Sequence, residues 1–440
     1  PLQWLEQQQC GVASMVEGHA STPISTLLLA ALLLFVVLLK PSSSSVSAGA
    51  RNINNPCCQP VAHADCWGFH PGVDAAPSIQ AAIDCPLAHT VIVKDMGTPW
   101  IVGLPHLPLP VVFKPGLGGT NRAAMNFSSH NQRIIFEPGV IIEAQRWSFH
   151  GFKDCLGIIG SEWGAVHNVT IHGEGAVWRM WKQDYQCYVC PPTPAGGVPC
   201  QSGGRWASCS KCEPSSSDFN QTECYAKSEW RHGLNLWAGV DITISGLTIE
   251  SSGGDGIETG AGIEGGDVPG GLPPGPRESP SLLTKNVVIR SVTLANNHRQ
   301  GISVITAEGL LVEDSVMKGT NGTAPEAGVD IEPDNPNSIL VDIVFRRCQF
   351  IDNNGGGVFI VIGNEDRWED APISILFEDC DASWRDDFPF QTPYYDGAGY
   401  MIAGGPNFAS PTPGGTITVR GGTVPAGAGA GIGVYKKPLR

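Results

Sequence analysis

A glycine followed by isoleucine or valine returns along this chain at nearly constant intervals. It stands at Gly256, Gly301, Gly328 and Gly357, and each of the last two intervals is roughly 28 residues. A short segment rich in β-branched residues precedes each return, at 240–244, 286–289, 309–312 and 341–345. A strand repeat of this length is typical of a solenoid whose coils stack by parallel pairing. Equivalent positions on successive coils then lie about 4.8 Å apart, so the register predicts which side chains are neighbours.

The composition fits an all-β chain. Of its 440 residues, 16% are charged, and the many short β-branched runs are not typical of a helical protein. The formal net charge is −15 and no basic stripe runs along the sequence, so we expect no nucleic-acid partner. Because a solenoid grows by adding coils, this length fits one solenoid domain, which we expect to be a monomer.

The N-terminal region has the pattern of a signal peptide. Residues 27–39 are an apolar run too short to span a bilayer comfortably, and residues 46–48 follow with small side chains at the first and third positions. We therefore predict a leader over residues 1–48, although Lys40 after the run leaves a membrane anchor as the alternative. The fourteen cysteines also favour an oxidising compartment. We expect a secreted chain, at the cell wall or cell surface, whose mature form has no stable membrane span.

The rest of the chain divides into a linker (49–70), the solenoid (71–425) and a C-terminal tail (426–440). Within residues 74–85 the pattern predicts a short helix, with Asp74 as its N-terminal cap and an apolar stripe on one face. An open solenoid exposes an unpaired edge, so we expect this helix to cap it.

Three segments interrupt the repeat and are predicted to be long loops. Residues 187–224 are rich in cysteine, residues 261–280 in glycine and proline, and residues 384–414 in aromatic side chains. Two Cys-x-x-Cys pairs in the first segment have a zinc-ribbon spacing, but secretion favours a loop held by disulfides over a zinc site. The aromatic segment fits either stacking on sugar rings or packing onto the coils.

Several segments resemble proteins of the pectin-lyase-like superfamily, which fold as right-handed parallel β-helices. Residues 74–84, 134–144 and 168–178 resemble the N-terminal part of polygalacturonase-like glycoside hydrolases. The resemblance covers most of residues 70–425 and implies this fold. It also implies an activity on polysaccharides, either cleavage or epimerisation.

A second resemblance concerns residues 296–304, which are similar to the coil of mannuronan C5-epimerases that carries an Arg-His-Gly catalytic motif. Arg299 matches the arginine of that motif, and Gln300 stands where its histidine would be. The complete catalytic motifs of polygalacturonases do not occur in the sequence. The resemblance therefore implies polysaccharide chemistry without choosing the reaction.

The register predicts a site on the outer face of the glycine-led strands. Alternate side chains of a strand face outward, which places Glu258, Ser303 and Asp330 in one column. Glu332 falls in the next column, with Gly260 and Ile305. Arg299 lies beside this face, so acids and a cation converge on one ridge that we expect to face solvent. Four residues are predicted to contact substrate: His298, Gln300, Ser303 and Glu332.

Two chemistries fit this ridge, and both make Arg299, Glu258 and Asp330 the catalytic residues. Glu258 and Asp330 are two coils apart, close to the separation that inverting glycosidases need for a water between two carboxyls. Alternatively, Glu258, Asp330 and Glu332 bind Ca²⁺, and Arg299 acts as base or electrophile in a lyase or epimerase. No other cofactor is expected. We place the lyase or epimerase slightly ahead of the hydrolase, with a non-catalytic polysaccharide-binding or structural glycoprotein as the alternative.

Overall fold

Strands from successive coils lie side by side in the computed structural model and form three parallel sheets. They belong to one compact unit, Asn52–Arg440. The structure describes the following residues: 55–104, 122–151, 153–161, 164–186, 225, 228–261, 282–333, 338–362, 371–383, 399–404, 414–423 and 432–435.

Each sheet is built from strands that recur at every third position along the chain. Sheet A contains β1 (Val61–His63), β2 (Thr90–Val93), β5 (Gln132–Phe136), β8 (Val166–His172), β11 (Gly239–Ser245), β14 (Lys285–Arg290), β17 (Ala307–Glu313), β20 (Leu340–Arg346), β23 (Ile373–Glu378) and β26 (Gly415–Arg420). Sheet B contains β3 (Trp100–Val102), β6 (Ile141–Ala144), β9 (Val177–Arg179), β12 (Thr248–Glu250), β15 (Thr293–Ala295), β18 (Val316–Lys318), β21 (Gln349–Ile351) and β24 (Asp381–Ala382). Sheet C contains β4 (Arg122–Phe127), β7 (Asp154–Gly160), β10 (Leu234–Trp237), β13 (Ile257–Gly260), β16 (Ile302–Val304), β19 (Val329–Ile331), β22 (Val358–Ile362), β25 (Tyr400–Gly404) and β27 (Ile432–Tyr435).

A typical coil gives one strand to each sheet. Strands β11, β12 and β13 form one coil, and each pairs in parallel with its counterpart three strands later. The right-handed parallel β-helix that the resemblance implies is therefore confirmed. The repeat indicated two strands in each coil and did not reveal the third, which lies in sheet B, although one strand of that sheet, β6, was predicted as Val140–Glu143. The strands of sheet B are mostly three residues long and bury one or two side chains each, which leaves little periodicity to detect.

The interior is filled by side chains that stack from coil to coil. In sheet A, Ile242, Val287, Leu310, Ile343 and Ile375 occupy equivalent positions and are all buried. This column explains the β-branched runs before each glycine, because every second residue of those runs faces the core.

The recurring glycine marks the tightest contact between coils. A Cβ atom on Gly301 would lie 2.5 Å from the carbonyl oxygen of Gly328, and one on Gly328 would lie 2.8 Å from that of Gly357. A Cβ on Gly256 would meet the carbonyl oxygen of Gly301 at 2.6 Å. Any side chain at these positions would collide with the backbone of the next coil, so glycine is required for the coils to stack.

The corners between sheets differ in length. The turn from sheet A to sheet B is short, with one residue at positive φ, such as Ser291 (52°) or Asp314 (52°). All three predicted insertions instead stand next to strands of sheet C in the sequence. Residues 187–224 precede β10, residues 261–280 follow β13, and residues 384–398 precede β25. The predicted insertions therefore all adjoin strands of sheet C.

Among the described residues, two α-helices and two disulfides accompany the first part of the chain. Helix α1 (Ala76–Ile83) lies in the segment predicted to be helical, and its Ile79 and Ile83 are buried. Its role as an end cap stays a prediction. Disulfides join Cys57 to Cys66 and Cys58 to Cys85. The second helix, α2 (Lys182–Tyr185), is a single turn.

The solenoid extends beyond the boundaries predicted for it. Strand β1, inside the predicted linker, pairs with β2. Strand β27, inside the predicted tail, pairs with β25. Strands this short carry no periodic signal, so the sequence offered no reason to include them.

Most of the predicted insertions lie outside the described residues, so the disulfide or zinc alternative for residues 187–224 stays open. Tyr400, in the predicted aromatic loop, instead belongs to β25 and is buried. Within the described residues, no helix has the length and apolar character needed to cross a membrane.

The glycine column gives a direct test of the coil stacking. Gly301→Ala should lower the free energy of unfolding by about 1–3 kcal/mol or more, because the added methyl group overlaps the backbone of Gly328. Gly164→Ala is the control, since its Cβ would meet nothing closer than 3.7 Å and its φ is not in the left-handed region. Denaturant unfolding of both variants measures the difference. Equal stability of the two would contradict the close-contact explanation.

Candidate active site

The predicted column is present on the outer face of sheet C. Glu258 pairs with Ser303 across β13 and β16, and Ser303 pairs with Asp330 across β16 and β19. The residues before them, Ile257 and Ile302, point inward and are fully buried. The register prediction is therefore confirmed for these positions.

The column is not exposed surface, contrary to the prediction of a solvent-facing ridge. Ser303 and Asp330 have no exposed area, and Glu258 is 8% exposed. Alternation along a strand tells which sheet face a side chain occupies, but not what else packs over that face. Charged groups this deeply buried need partners, and the partners define the site.

The guanidinium of Arg299 lies among three carboxylates. Its Nη2 is 3.5 Å from Glu332 Oε2 and 3.9 Å from Asp330 Oδ2, and its Nε is 3.8 Å from Glu229 Oε2. Burial by itself lowers the pKa of Arg299. The negative charges of Asp255, Asp330, Glu229 and Glu332 outweigh burial and hold that pKa above its ordinary value.

Two predictions for these residues are corrected by this arrangement. Arg299 stays protonated, so it does not serve as a base, whereas its part as an electrophile stays a prediction. The three residues predicted to bind Ca²⁺ do not face one another as a set: Asp330 and Glu332 face Arg299, whereas Glu258 contacts His232. The arginine supplies the positive charge that the sequence analysis assigned to a calcium ion.

The two remaining residues predicted to bind substrate are buried and engaged in the protein. Gln300 is fully buried and its Nε2 donates a hydrogen bond to Asp330 Oδ2 at 2.7 Å. His298 is 3% exposed, and its Nδ1 is 3.1 Å from Gln186 Nε2. Gln300 thus holds the carboxylate of Asp330 in place, and His298 is not the exposed side chain that the sequence predicted.

Helix α2 fixes the segment that carries Arg299. The buried ammonium of Lys182 donates to Asn296 Oδ1 at 2.6 Å, to Asn321 Oδ1 at 2.9 Å and to the Asn321 carbonyl oxygen at 3.0 Å. Burial lowers the pKa of Lys182 to about 8, while the charge of Glu326 acts in the opposite direction. Lys182 therefore anchors the corner just before Arg299 from two coils away.

Glu258 forms a second cluster. Its Oε2 accepts a hydrogen bond from Trp237 Nε1 at 3.2 Å and lies 3.4 Å from His232 Nε2. On the other side of the imidazole, Asp255 Oδ2 is 3.3 Å from Nδ1. His232, Asp255 and Glu258 thus form a continuous buried chain with the imidazole in the middle.

A backbone hydrogen bond fixes the tautomer of His232. The N–H of Asp255 donates to Nδ1 at 3.0 Å, so this nitrogen carries a lone pair and the ring hydrogen is on Nε2. Burial lowers the pKa of His232, which keeps the ring neutral, although Glu258 acts in the opposite direction. The N–H group at Nε2 therefore faces Glu258.

Asp255 sits beside the lone pair of Nδ1 and is fully buried. The backbone N–H of Gln300 acts on this carboxyl and favours its charged form. Burial raises the pKa of Asp255 well above its ordinary value, and Arg299 offsets only part of this effect. Asp255 is thus a buried carboxyl beside the imidazole and near Arg299, whereas Glu258 faces two N–H donors.

The same three residues are the group in the described part of the chain whose ligand atoms, all within 4.8 Å of one another, could hold a metal ion. A metal bound to Nε2 would require the lone pair of that nitrogen. The hydrogen bond at Nδ1 instead leaves the hydrogen on Nε2. The donor set therefore does not fit a metal bound through Nε2.

His232, Asp255, Trp237 and Glu229 were missed by the sequence analysis. A signal for two of them was present: Asp255 precedes Gly256, and His232 precedes Gly233, as Gln300 precedes Gly301. Aligning the residue before each glycine would have placed them in one column. Nothing in the repeat indicates Trp237 or Glu229.

Comparison with solved structures identifies several similar chains at low identity. A tailspike protein of Acinetobacter baumannii bacteriophage Fri1, a capsular polysaccharide depolymerase, is 9% identical with a TM-score of 0.44, covering 78% of this chain and 48% of that one. An iota-carrageenase complexed to iota-carrageenan fragments is 11% identical with a TM-score of 0.35, covering 78% and 55%. A polygalacturonase from Erwinia carotovora ssp. carotovora is 11% identical with a TM-score of 0.31, covering 84% and 94%.

The chain spans about half the length of the first two of these proteins. No family model matches the sequence, and no curated protein matches it. Its function is therefore inferred from the chemistry of its own residues.

Replacing Arg299 tests whether its positive charge stabilises the carboxylates around it. Arg299→Gln leaves the buried carboxylate of Asp330 beside Glu332 and Glu229 without their cation, so we expect a loss of about 3–5 kcal/mol in unfolding free energy at neutral pH. The loss should shrink as the pH falls, because protonated carboxyls do not repel one another.

Thermal or denaturant unfolding at several pH values measures this effect. The control is Arg347→Gln, which removes an equally paired but exposed arginine that contacts Asp314 and Glu313. It should change stability little. Equal losses for both variants, or a loss for Arg299→Gln that does not depend on pH, would contradict the charge-balance interpretation.

Proposed function

We propose that this chain is an enzyme that hydrolyses a glycosidic bond of a polysaccharide on the outer face of sheet C. The observation that carries this proposal is the pair of carboxyl groups, Glu258 and Asp330, in one column with different partners. Glycoside hydrolysis requires two carboxyls with opposite duties, one as acid and one as base.

The register gives a separation suited to inversion. Glu258 and Asp330 lie on strands that are two apart, so their backbones are separated by about 9–10 Å. Inverting enzymes place their carboxyls about 6.5–9.5 Å apart to admit a water molecule. Ser303 lies between them, and its hydroxyl has no hydrogen-bond partner among the described residues.

The partners assign the two duties. Asp330 accepts a hydrogen bond from Gln300 and lies 3.9 Å from the guanidinium of Arg299, so it is the carboxylate that activates water. Glu258 is instead linked through the imidazole of His232 to the buried carboxyl of Asp255, and it is the more exposed of the two column carboxyls. It therefore takes the part of the general acid that protonates the leaving oxygen.

The lyase or epimerase favoured by the sequence analysis has less support. That mechanism used a calcium ion among Glu258, Asp330 and Glu332, with Arg299 as a base or an electrophile. A protonated Arg299 leaves only the electrophile, and the separate contacts of Glu258 give no support to the calcium site.

We also propose that the protein is secreted and meets its polysaccharide outside the cell. The disulfides near the start of the solenoid support an oxidising compartment. The monomeric state stays a prediction. A non-catalytic polysaccharide-binding protein is the alternative outcome of the activity test.

The test uses a panel of neutral and acidic polysaccharides, read for reducing ends and for unsaturated sugars. Hydrolysis predicts reducing ends without unsaturated product, and chelator should not reduce the rate. Glu258→Gln and Asp330→Asn should each lower the rate on the order of 10²-fold or more, because each removes an acid–base group while keeping its shape.

The matched control is Glu308→Gln, which removes an outward carboxylate paired with Lys285 on sheet A. It should retain wild-type rate. Unsaturated product would support a lyase instead. Binding without turnover, unchanged in both site variants, would leave the binding-protein alternative.

A further inference from the structure

We propose that oxygen atoms of Asn296, Asn297 and Asn321 form a binding site for a monovalent cation of the ammonium type, which the chain fills itself with the side chain of Lys182. This tethered cation makes Lys182 a positioning residue for Arg299. Its effect on catalysis rests on the proposed function, whereas the cation site can be tested without activity.

Four oxygen atoms converge on the side-chain nitrogen of Lys182. Its Nζ donates to Asn296 Oδ1 at 2.6 Å and, on the next coil, to Asn321 Oδ1 at 2.9 Å and the Asn321 carbonyl oxygen at 3.0 Å. The Asn297 carbonyl oxygen lies at 3.4 Å. Because the Nδ2 group of Asn321 donates to the carbonyl oxygen of Gly319, its Oδ1 is the atom that faces the lysine. The nitrogen is therefore surrounded by hydrogen-bond acceptors.

The arrangement of these acceptors indicates that the nitrogen is charged. An ammonium has three hydrogens and no lone pair, so it matches the three oxygens that lie at 2.6, 2.9 and 3.0 Å. A neutral amine has two hydrogens, and its lone pair would face one of these oxygens. Lys182 is 4% exposed, so the protein supplies most of its partners. Burial lowers the pKa of this group to about 8, which is still above neutral pH.

The lining of the site favours a monovalent cation. Its oxygens belong to amide side chains and backbone carbonyls, which have no net charge. Calcium sites usually include carboxylates, whereas K⁺ is bound in channels by carbonyl oxygens alone. Glu326 acts on Lys182 through its negative charge, which adds to the attraction of a cation. The chemistry of the site therefore suits an ammonium group.

The backbone of Lys182 holds this cation in place from a third coil. The N–H group of Lys182 donates to the carbonyl oxygen of Ser251 at 2.9 Å. The corner that begins at Ser251 is short and ends at Gly256, where β13 follows. The lysine side chain extends past this corner to the two coils beyond it. A cation attached to the chain is present at the site at every salt concentration.

Arg299 lies on the corner that the cation holds. This corner joins β15 to β16, and Asn296 and Asn297 are its first two residues. The backbone N–H of Asn321 also donates to the Asn297 carbonyl oxygen at 3.1 Å, so the corners of two successive coils are held together. Arg299 follows two residues later and faces Asp330. A shift of this corner would therefore move the guanidinium away from the carboxylate that is proposed to activate water.

The first experiment measures thermal unfolding of wild type and Lys182→Ala at neutral pH, in tetramethylammonium chloride and in methylammonium chloride of equal concentration. Lys182→Ala empties the site, so its Tm should fall by roughly 2 °C or more in tetramethylammonium, which has no N–H group. Methylammonium should raise the Tm of the variant in a concentration-dependent way, because a ligand that binds the folded state stabilises it. Wild type should gain nothing comparable, since its site is occupied.

Two control variants separate the cation from the side-chain volume. Lys182→Met fills the site with an uncharged chain, so it should lose Tm and gain no more from methylammonium than wild type. Lys318→Ala removes an exposed lysine of β18 and should match wild type in both salts. The proposal is overturned if methylammonium stabilises Lys182→Ala no more than Lys182→Met, or if Lys182→Met is as stable as wild type.

A variant that keeps the lysine decides the question if both Lys182 variants fail to fold. Asn296→Asp places a carboxylate against Lys182 Nζ, and aspartate tolerates the left-handed backbone of this position (φ 53°). A charged nitrogen predicts a Tm at neutral pH equal to or above that of wild type, because the two charges attract. A lower Tm would show that the site does not hold a cation.

The second experiment measures kcat and KM on the polysaccharide that wild type cleaves. Lys182→Ala should lose on the order of 10-fold or more in kcat with KM little changed, because Arg299 is displaced, and methylammonium should restore most of the loss. Restored Tm without restored kcat overturns the positioning role. If wild type cleaves no polysaccharide, the proposed function fails, while the unfolding results still decide whether the cation site exists.

Discussion

Backbone-to-backbone contact at the glycine column is the constraint on which the rest of the structure depends. The carbonyl oxygen of each glycine lies where a Cβ atom on the preceding coil would have to fit, so the coils approach only when every position is glycine. This contact sets the register of sheet C. The register then decides that Asp255 and Gln300, and also Glu258 and Asp330, share a column although the chain separates them by whole coils.

The site divides its charges into two groups with opposite character. Around Arg299, three carboxylates share one guanidinium. Around His232, burial lowers the pKa of the imidazole and raises the pKa of the Asp255 carboxyl. Two carboxyls of one column, Glu258 and Asp330, thereby have different neighbours, and different surroundings are the usual way in which one fold performs acid and base chemistry at the same pH.

The sequence predicted which residues share a column better than it predicted their burial and their side-chain partners. Column membership of Glu258, Ser303 and Asp330 followed from the repeat, because register depends only on spacing along the chain. Burial of those residues, and the partner of each, depend on side chains that enter from corners, such as Glu229 and Trp237. These contacts have no period. Sheet B, with strands of about three residues, was hidden for a related reason, since so short a strand shows hardly any alternation.

Lys182 has a consequence for how the solenoid responds to stress. Coils in such folds normally contact only their neighbours, so the array can fray one unit at a time from either end. Lys182 instead reaches over an intervening coil to Asn296 and beyond it to Asn321. To peel away the coil that carries α2, these three hydrogen-bonded layers must be released together. The coils that Lys182 connects should therefore unfold together, and Arg299 lies on one of them.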